Sequence, residues 1–268
     1  MSSTIDDDTE KLRDFERNPA YERKVVIFYD VLGWRNHIEA AHDDAKAIGN
    51  LRRLVLRYSR SLPLRTQMNL KVSTFSDNVV ISQDISEATP LLITLIAFLQ
   101  IAGGLSGFLL RGGITIGKII HDQECVFGPA LNRAYELEKY CAKYPRIVLD
   151  REVEEELIKG LGELPVLEDG VLFLDPFRLG FVRHMQNHHN LLDARLVTKA
   201  GLPLNKKSLR DYDAELVLRL IHENLKKEIR SPIGDREYEK IAWLFNRISK
   251  EFGVPPASSY PRNSEQSS

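Results

Sequence analysis

Cysteine is scarce in this chain. Cys125 and Cys141 are its only two thiols, too few for a disulfide framework or a cysteine-rich zinc site, and they fit a reducing compartment. An excess of either charge is also missing. Lys and Arg number 37 against 38 Asp and Glu, a formal net charge of -1, so the basic surplus of a dedicated nucleic-acid binder is absent, while a local basic pocket is not excluded. No long hydrophobic run is present either. The longest, PLLITLIAFLQI at 90–101, is interrupted by Gln100; it is too short to span a bilayer and reads as a buried helix. The opening MSSTIDDDTEKLRDFERN is acidic and polar, unlike a signal peptide. A cytoplasmic protein without nucleic-acid or membrane partners is expected. No internal repeat is found.

What is there suffices for a packed core: 43% of the 268 residues are hydrophobic. VVIFYDVLGW at 25–34 reads as a central strand that ends at Asp30 and a tight turn at Gly33. Helical spacing follows from about 35 to 60, with Arg52, Arg53 and Arg57 toward its far end, where cations suit the helix dipole. Two strand-like runs, 68–74 and 79–82, flank Phe75-Ser76-Asp77-Asn78, which suits a hairpin tip. A buried helix at about 88–102 is expected to end at Gly103, Gly104 and Gly107, and FLLRGGITIGKII at 108–120 to form a further strand. A helix at 130–143, a short strand at 146–149, a hairpin through 165–175 and two helices at 211–229 and 235–251 complete the pattern. It predicts an α+β architecture with helices on a mainly antiparallel sheet. The expected divisions are a flexible segment 1–22, a main domain 23–180, a helical extension 181–253 and a disordered tail 254–268. Trp243 and Phe245 would dock that extension on the core.

Asp30 and Asp77 carry the chemistry of interest. A carboxylate at a strand end beside a helix N-terminus is well placed to bind a cation, and the N–H groups of Leu32, Gly33 and Trp34 would be free to hold phosphate oxygens. If the two strands are neighbours, both carboxylates fall at one sheet edge. With a triphosphate they would make a two-metal site for Mg2+ or Mn2+, both of which favour oxygen ligands. An aspartate after a strand is also a common helix N-cap, and one in a hairpin a common turn former, so the residue types alone leave both readings open.

Four fragments in order resemble the class III nucleotidyl cyclases over about residues 24–150. VIFYDVLGW resembles the family's first metal motif, with Trp34 for the usual Phe. STFSDNVVIS resembles the second metal segment, with Ser76 for Gly. LRGGITIGKI resembles the R-x-G-I-x-x-G strand, and FGPALNRAYELE the W-G-x-x-V-N-x-A-x-R helix start. The resemblance implies a ferredoxin-like cyclase fold and a homodimer with its active sites at the interface. One subunit would supply Asp30, Val31 and Asp77 to two Mg2+ or Mn2+ ions; the other would supply Asn132 to orient the ribose. The reaction implied is attack of the 3′-hydroxyl on the α-phosphate.

The departures from the family are informative. Its purine-selecting lysine aligns with Ser73 and the selecting partner with Cys125, so the usual reading of a purine is missing, and a changed pair implies a changed base. The chain is most like the pyrimidine cyclases of bacterial Pycsar antiphage systems. For these the resemblance implies UTP or CTP as substrate, UTP favoured, and a cyclic product that acts on a separate effector. The family's transition-state arginine aligns with Glu136, a carboxylate that would repel developing negative charge. Arg133, Lys139, Arg111 and Lys118 are the candidate replacements. The alternatives are a cyclase-like domain that senses nucleotide without turnover and an adenylate cyclase, the latter disfavoured by Ser73 and Cys125. Trp34 and Phe75 flank the aspartates and would stack on a base or pack in the core. His184 and His188 have helical spacing and lie beside His189, but no HExxH pattern or third ligand accompanies them, and a surface role is expected.

Overall fold

The computed structural model describes residues 20–49, 51–52, 69–187 and 213–261. The expectations for the first 19 residues, for Arg53, Arg57, His188 and His189, and for the end of the tail lie outside these residues.

The first strand, β1 (Glu22–Val31), lies between two neighbours and is buried on both faces, as its unbroken apolar run requires. Its odd residues, Val25, Ile27, Tyr29 and Val31, enter the main core; Val26 and Phe28 enter a second cluster on the opposite face. The chain then runs through α1 (Trp34–Ala41), the hairpin β2 (Lys71–Phe75) and β3 (Asn78–Asp84), α2 (Thr89–Leu105) and β4 (Leu110–His121). The order β2-β3-β1-β4 is antiparallel throughout. This is the βαββαβ topology of a ferredoxin-like core. The sheet continues through β6 (Ile147–Leu149), parallel to β4, and the hairpin partners β8 (Val171–Leu174) and β7 (Pro165–Glu168), while β5 (Val126–Phe127) pairs with the end of β4.

Helix α3 (Pro129–Glu136) covers the second face of β1 and β4, where Ala130 and Ala134 pack against Val26, Phe28 and Ile119. The helix expected at 130–143 does not stay α-helical: its last part is a π-helix, Leu137–Cys141. Helix α4 (Arg151–Leu161), which the sequence reading left out, starts at the N-cap Asp150, whose side chain accepts a hydrogen bond from the Arg151 N–H. The helix expected from 35 to 60 is broken. The chain turns at His42 (φ 41), and helical residues resume at 45, where the Asp44 carboxylate accepts from the Lys46 N–H.

Helix α2 is apolar on all sides and almost wholly buried, the pattern of a helix enclosed in a core. Leu92, Ile93 and Ile96 face the sheet, and Phe98, Ile101 and Leu105 face the C-terminal helices. These are α5 (Leu179–Asn187), α6 (Ala214–Arg230) and α7 (Asp235–Phe252). Gly103 and Gly104 lie inside α2 rather than beyond it, and the helix stops just before Gly107 (φ 79). Phe245 is fully buried in the C-terminal cluster. Trp243 stacks on Tyr144 at 5.1 Å and meets Phe173 edge-on at 5.7 Å, so both aromatics dock α7 as expected. Arg247 adds hydrogen bonds to Asp175 and Glu168, each 2.9 Å.

The approach of α3 to β4 depends on Gly113. A Cβ there would stand 2.4 Å from the Ala134 carbonyl oxygen and 2.6 Å from Leu137 Cβ. Gly113→Ala is therefore expected to push the helix off the sheet and destabilise the fold by about 2–3 kcal/mol, measured as a lowered urea midpoint at unchanged slope.

Candidate active site

The register of β1 on β4 sets Asp30 directly opposite Arg111. The guanidinium engages both carboxylate oxygens: Nε lies 2.9 Å from Oδ1 and 3.2 Å from Oδ2, and Nη2 lies 2.9 Å from Oδ2. The pair is mostly buried, at 14% and 25% side-chain exposure. Arg111 Nη2 also lies 2.7 Å from Oε1 of Glu138, in the π-helix. That contact is one of charge and is not aligned as a hydrogen bond, because the same buried Oε1 has no hydrogen-bond partner among the described residues. Burial, reinforced by the Asp30 charge, pushes the Glu138 carboxyl up to about 7 despite the nearby Arg111, Lys139 and Lys240.

Asp77 stands in the two-residue turn of the β2–β3 hairpin, after Ser76 (φ 57). Tyr29 pairs with Val79, so the end of β1 and the tip of the hairpin share one end of the sheet. The Asp77 carboxyl is raised, first by burial and then by the charge of Asp30; its own N–H, the Ser76 hydroxyl and Arg111 oppose the shift. Each aspartate thus lies within the other's field. The Trp34 indole N–H donates to Ser76 Oγ at 3.0 Å and ties the turn after β1 to the hairpin tip. Trp34 also packs on the main core, whereas Phe75 is 82% exposed, so a core role for it is excluded.

Leu32 is not available to phosphate, since its N–H donates to the Leu109 carbonyl at 2.8 Å; Gly33 and Trp34 keep that candidacy. Among the described residues no group of three or more His, Cys, Asp or Glu is placed to hold a metal ion. The oxygen donors of Asp30 and Asp77 nevertheless fit a divalent cation. The Asp30 charge contributes to raising the Asp77 carboxyl, and a positive charge between the two would relieve it.

Ser73, on β2, leads to a residue the sequence reading missed. Its Oγ lies 3.0 Å from Nε2 of the buried His121, and Ser82 Oγ lies 2.9 Å from Nδ1. His121 ends β4 and opens the turn that holds Cys125, where the Asp122 carboxylate accepts from the N–H groups of Glu124 and Cys125, both at 2.8 Å. Positions 73 and 125 are therefore brought toward one another. Cys125 is exposed, so it lines no enclosed pocket in this chain.

The candidate replacement cations fare differently. Arg133 is tied to Asp150, the N-cap of α4, with Nε 2.7 Å from Oδ2 and Nη2 3.2 Å from Oδ1. Lys139 is exposed, its ammonium 5.5 Å and 5.3 Å from the ring centroids of Tyr135 and Tyr140. Lys118 projects from β4 near the end opposite Asp30, paired with Arg23. Glu136 and Asn132 are both exposed on α3. His184 is exposed on α5. A cavity of about 910 Å3 opens on the C-terminal side of the turn after β1, between α1, α6 and α7. It includes Gly33 but neither aspartate, and so is not the cation site.

No family model and no curated protein sequence matches the chain. Among solved structures it is similar to a dimeric guanylyl cyclase domain of the RhoGC fusion protein from the aquatic fungus Blastocladiella emersonii, with TM-score 0.43 and 16% identity over 57% of this chain and 93% of that one. A bacterial light-regulated adenylyl cyclase gives 0.40 and 16%, covering 58% and 90%. A class III adenylyl cyclase-like ATP-binding protein from Pseudomonas aeruginosa gives 0.38 and 13%, covering 77% and 44%. At these scores the likeness is loose, and function has to come from the chain's own side chains.

Glu138 supplies a pH test. An unfolded glutamate ionises near 4.5, whereas this one holds its proton to about 7. Between those values the folded state keeps a proton that the unfolded state has lost, so this group's contribution is full below pH 4.5 and disappears as pH rises toward 7. Thermal unfolding is expected to show Glu138→Gln more stable than wild type at pH 8 by on the order of 2–3 kcal/mol, with the two converging in acid.

Proposed function

We propose that this chain is a pyrimidine nucleotide cyclase that converts UTP to 3′,5′-cyclic UMP and pyrophosphate. The observation that carries the reading is the meeting of Asp30 and Asp77 at one end of the sheet, each in the other's field. The ordered motifs around residues 30, 77, 111 and 132 support it. Asp30 and Asp77, with the Val31 carbonyl beside them, would hold two Mg2+ or Mn2+ ions. When bound, these would lower the pKa of the attacking 3′-hydroxyl and neutralise the phosphates. Gly33 and Trp34 would present N–H groups to phosphate oxygens, and the Trp34–Ser76 bond would keep the two aspartate-bearing turns in register.

Ser73, oriented by His121, would read the base edge. Ser73 lies on β2, with two residues between it and the hairpin turn that carries Asp77. The exposed Asn132 would act on the ribose of a second copy's substrate, which makes the working unit a homodimer in this reading. The product would act on a separate effector in antiphage defence, in the cytoplasm. CTP is the alternative substrate. A second reading, a nucleotide sensor without turnover, is favoured by Glu136 at the position where a cation is wanted.

Incubation with Mn2+ and each of the four ribonucleoside triphosphates, with products identified by mass spectrometry, decides among these. Cyclic UMP is expected. Cyclic AMP or GMP alone rejects the reading, and nucleotide binding without any product supports the sensor. Asp30→Ala and Asp77→Ala are each expected to lower turnover by on the order of 10³-fold without unfolding the protein. Ser73→Ala is expected to reduce the preference among bases by about 10–100-fold in kcat/KM, the value of one hydrogen bond in a buried site.

A further inference from the structure

Arg111 occupies the very carboxylate that the proposed function gives to a cation. Its guanidinium spends both Nε and Nη2 on Asp30. A divalent ion on the same carboxylate would sit within a few ångströms of that positive charge, in a half-buried site where water screens little. A second acceptor waits beside it. Glu138 Oε1 is 2.7 Å from Nη2, buried, and without an aligned hydrogen bond. The backbone of Arg111 is fixed by its pairing with Asp30 in the sheet, so only the side chain can move. A small swing toward Glu138 would free Asp30 and give the orphaned oxygen a donor.

We propose that Arg111 is a resident counter-ion of Asp30 that yields its place to a divalent cation by transferring its guanidinium to Glu138. This rests on the reading of Asp30 and Asp77 as cation ligands. Arg111 is then a positioning residue. It neutralises Asp30 while the site lacks metal and opposes metal entry until the ion displaces it. Glu138 is the landing place that makes the displacement affordable. Asp77 is left out of the exchange: Arg111 acts on it through charge alone.

The test is Mn2+ binding to the full chain without nucleotide, read from the electron paramagnetic resonance signal of the free ion. Arg111→Gln is expected to bind Mn2+ at least tenfold tighter than wild type, because the competitor is gone. Arg111→Lys, with one point charge in place of a two-pronged donor, is expected to fall between the two. At pH 8, where Glu138 has lost its proton, Glu138→Gln is expected to bind several-fold more weakly, because the displaced guanidinium loses its anionic acceptor. Unchanged or weaker binding in both Arg111 variants overturns the proposal, as does Glu138→Gln binding as tightly as wild type at that pH. Asp30→Ala separates this from the underlying reading. If it leaves Mn2+ affinity untouched, the two-aspartate site itself falls. If it abolishes binding while Arg111→Gln shows no gain, the cation site stands and only the exchange is wrong. Circular dichroism of Arg111→Gln guards against misfolding, and Arg111→Lys carries the test if that variant does not fold.

Discussion

The pairing of Asp30 with Arg111 across two antiparallel strands is the constraint around which the site is built. β1 lies between β3 and β4, and its middle, residues 25–29, is apolar and buried on both faces. Its charges are confined to its two ends, Glu22, Arg23 and Lys24 at the start and Asp30 at the finish. A carboxylate leaving such a core needs either water or a cation, and a half-buried one needs the cation more. The register supplies Arg111, and the π-helix after α3 supplies Glu138 to the same guanidinium. Two acids on one base leave one of them poorly satisfied. The misaligned Oε1 of Glu138 and its raised pKa express that imbalance.

This arrangement also explains why the hairpin tip matters. Asp77 has no strand partner of its own; its place follows from the β2–β3 turn and from the indole of Trp34 holding Ser76. An N-cap role for Asp30 is excluded in turn, because α1 begins after Gly33 with no side-chain cap and the Asp30 oxygens are taken by Arg111.

Much of this was legible in the residues. The apolar run at 25–31, the hairpin around 77 and the buried helix at 90–101 each carry a local signal of period or composition, and each forms where its pattern places it. The Asp169-Gly170 turn between β7 and β8 adopts the left-handed angles that such a pair favours. What escaped was cross-strand. Nothing local in LRGG says that Arg111 faces Asp30, because register is set by the whole sheet. Glu138 sits in a run of charged helical residues and reads as a solvated face until the π-helix turns it inward. His121 follows an apolar strand without any motif of its own, and only the packing of β2, β3 and β4 brings Ser73 and Ser82 to its two nitrogens. The Arg133–Asp150 pair is invisible in the same way: Asp150 is distant in sequence and adjacent in space.

The C-terminal helices belong to the same mechanical system. α2 is shared between the sheet core and the C-terminal cluster, and Gly104 lets Ile221 of α6 approach, since a Cβ there would stand 3.1 Å from its Cγ2. From that base α7 reaches back to the first turn of α1, where Glu237 Oε1 accepts from Asn36 Nδ2 at 3.2 Å. The segment that leaves Asp30 is therefore held on one side by the hairpin through Trp34 and on the other by α7 through Asn36. Between Asn36 and Asp30 lie the first residues of α1, the two-residue turn of Leu32 and the left-handed Gly33 (φ 72), and Val31. α2, by contrast, is packed on both sides and belongs to both clusters at once.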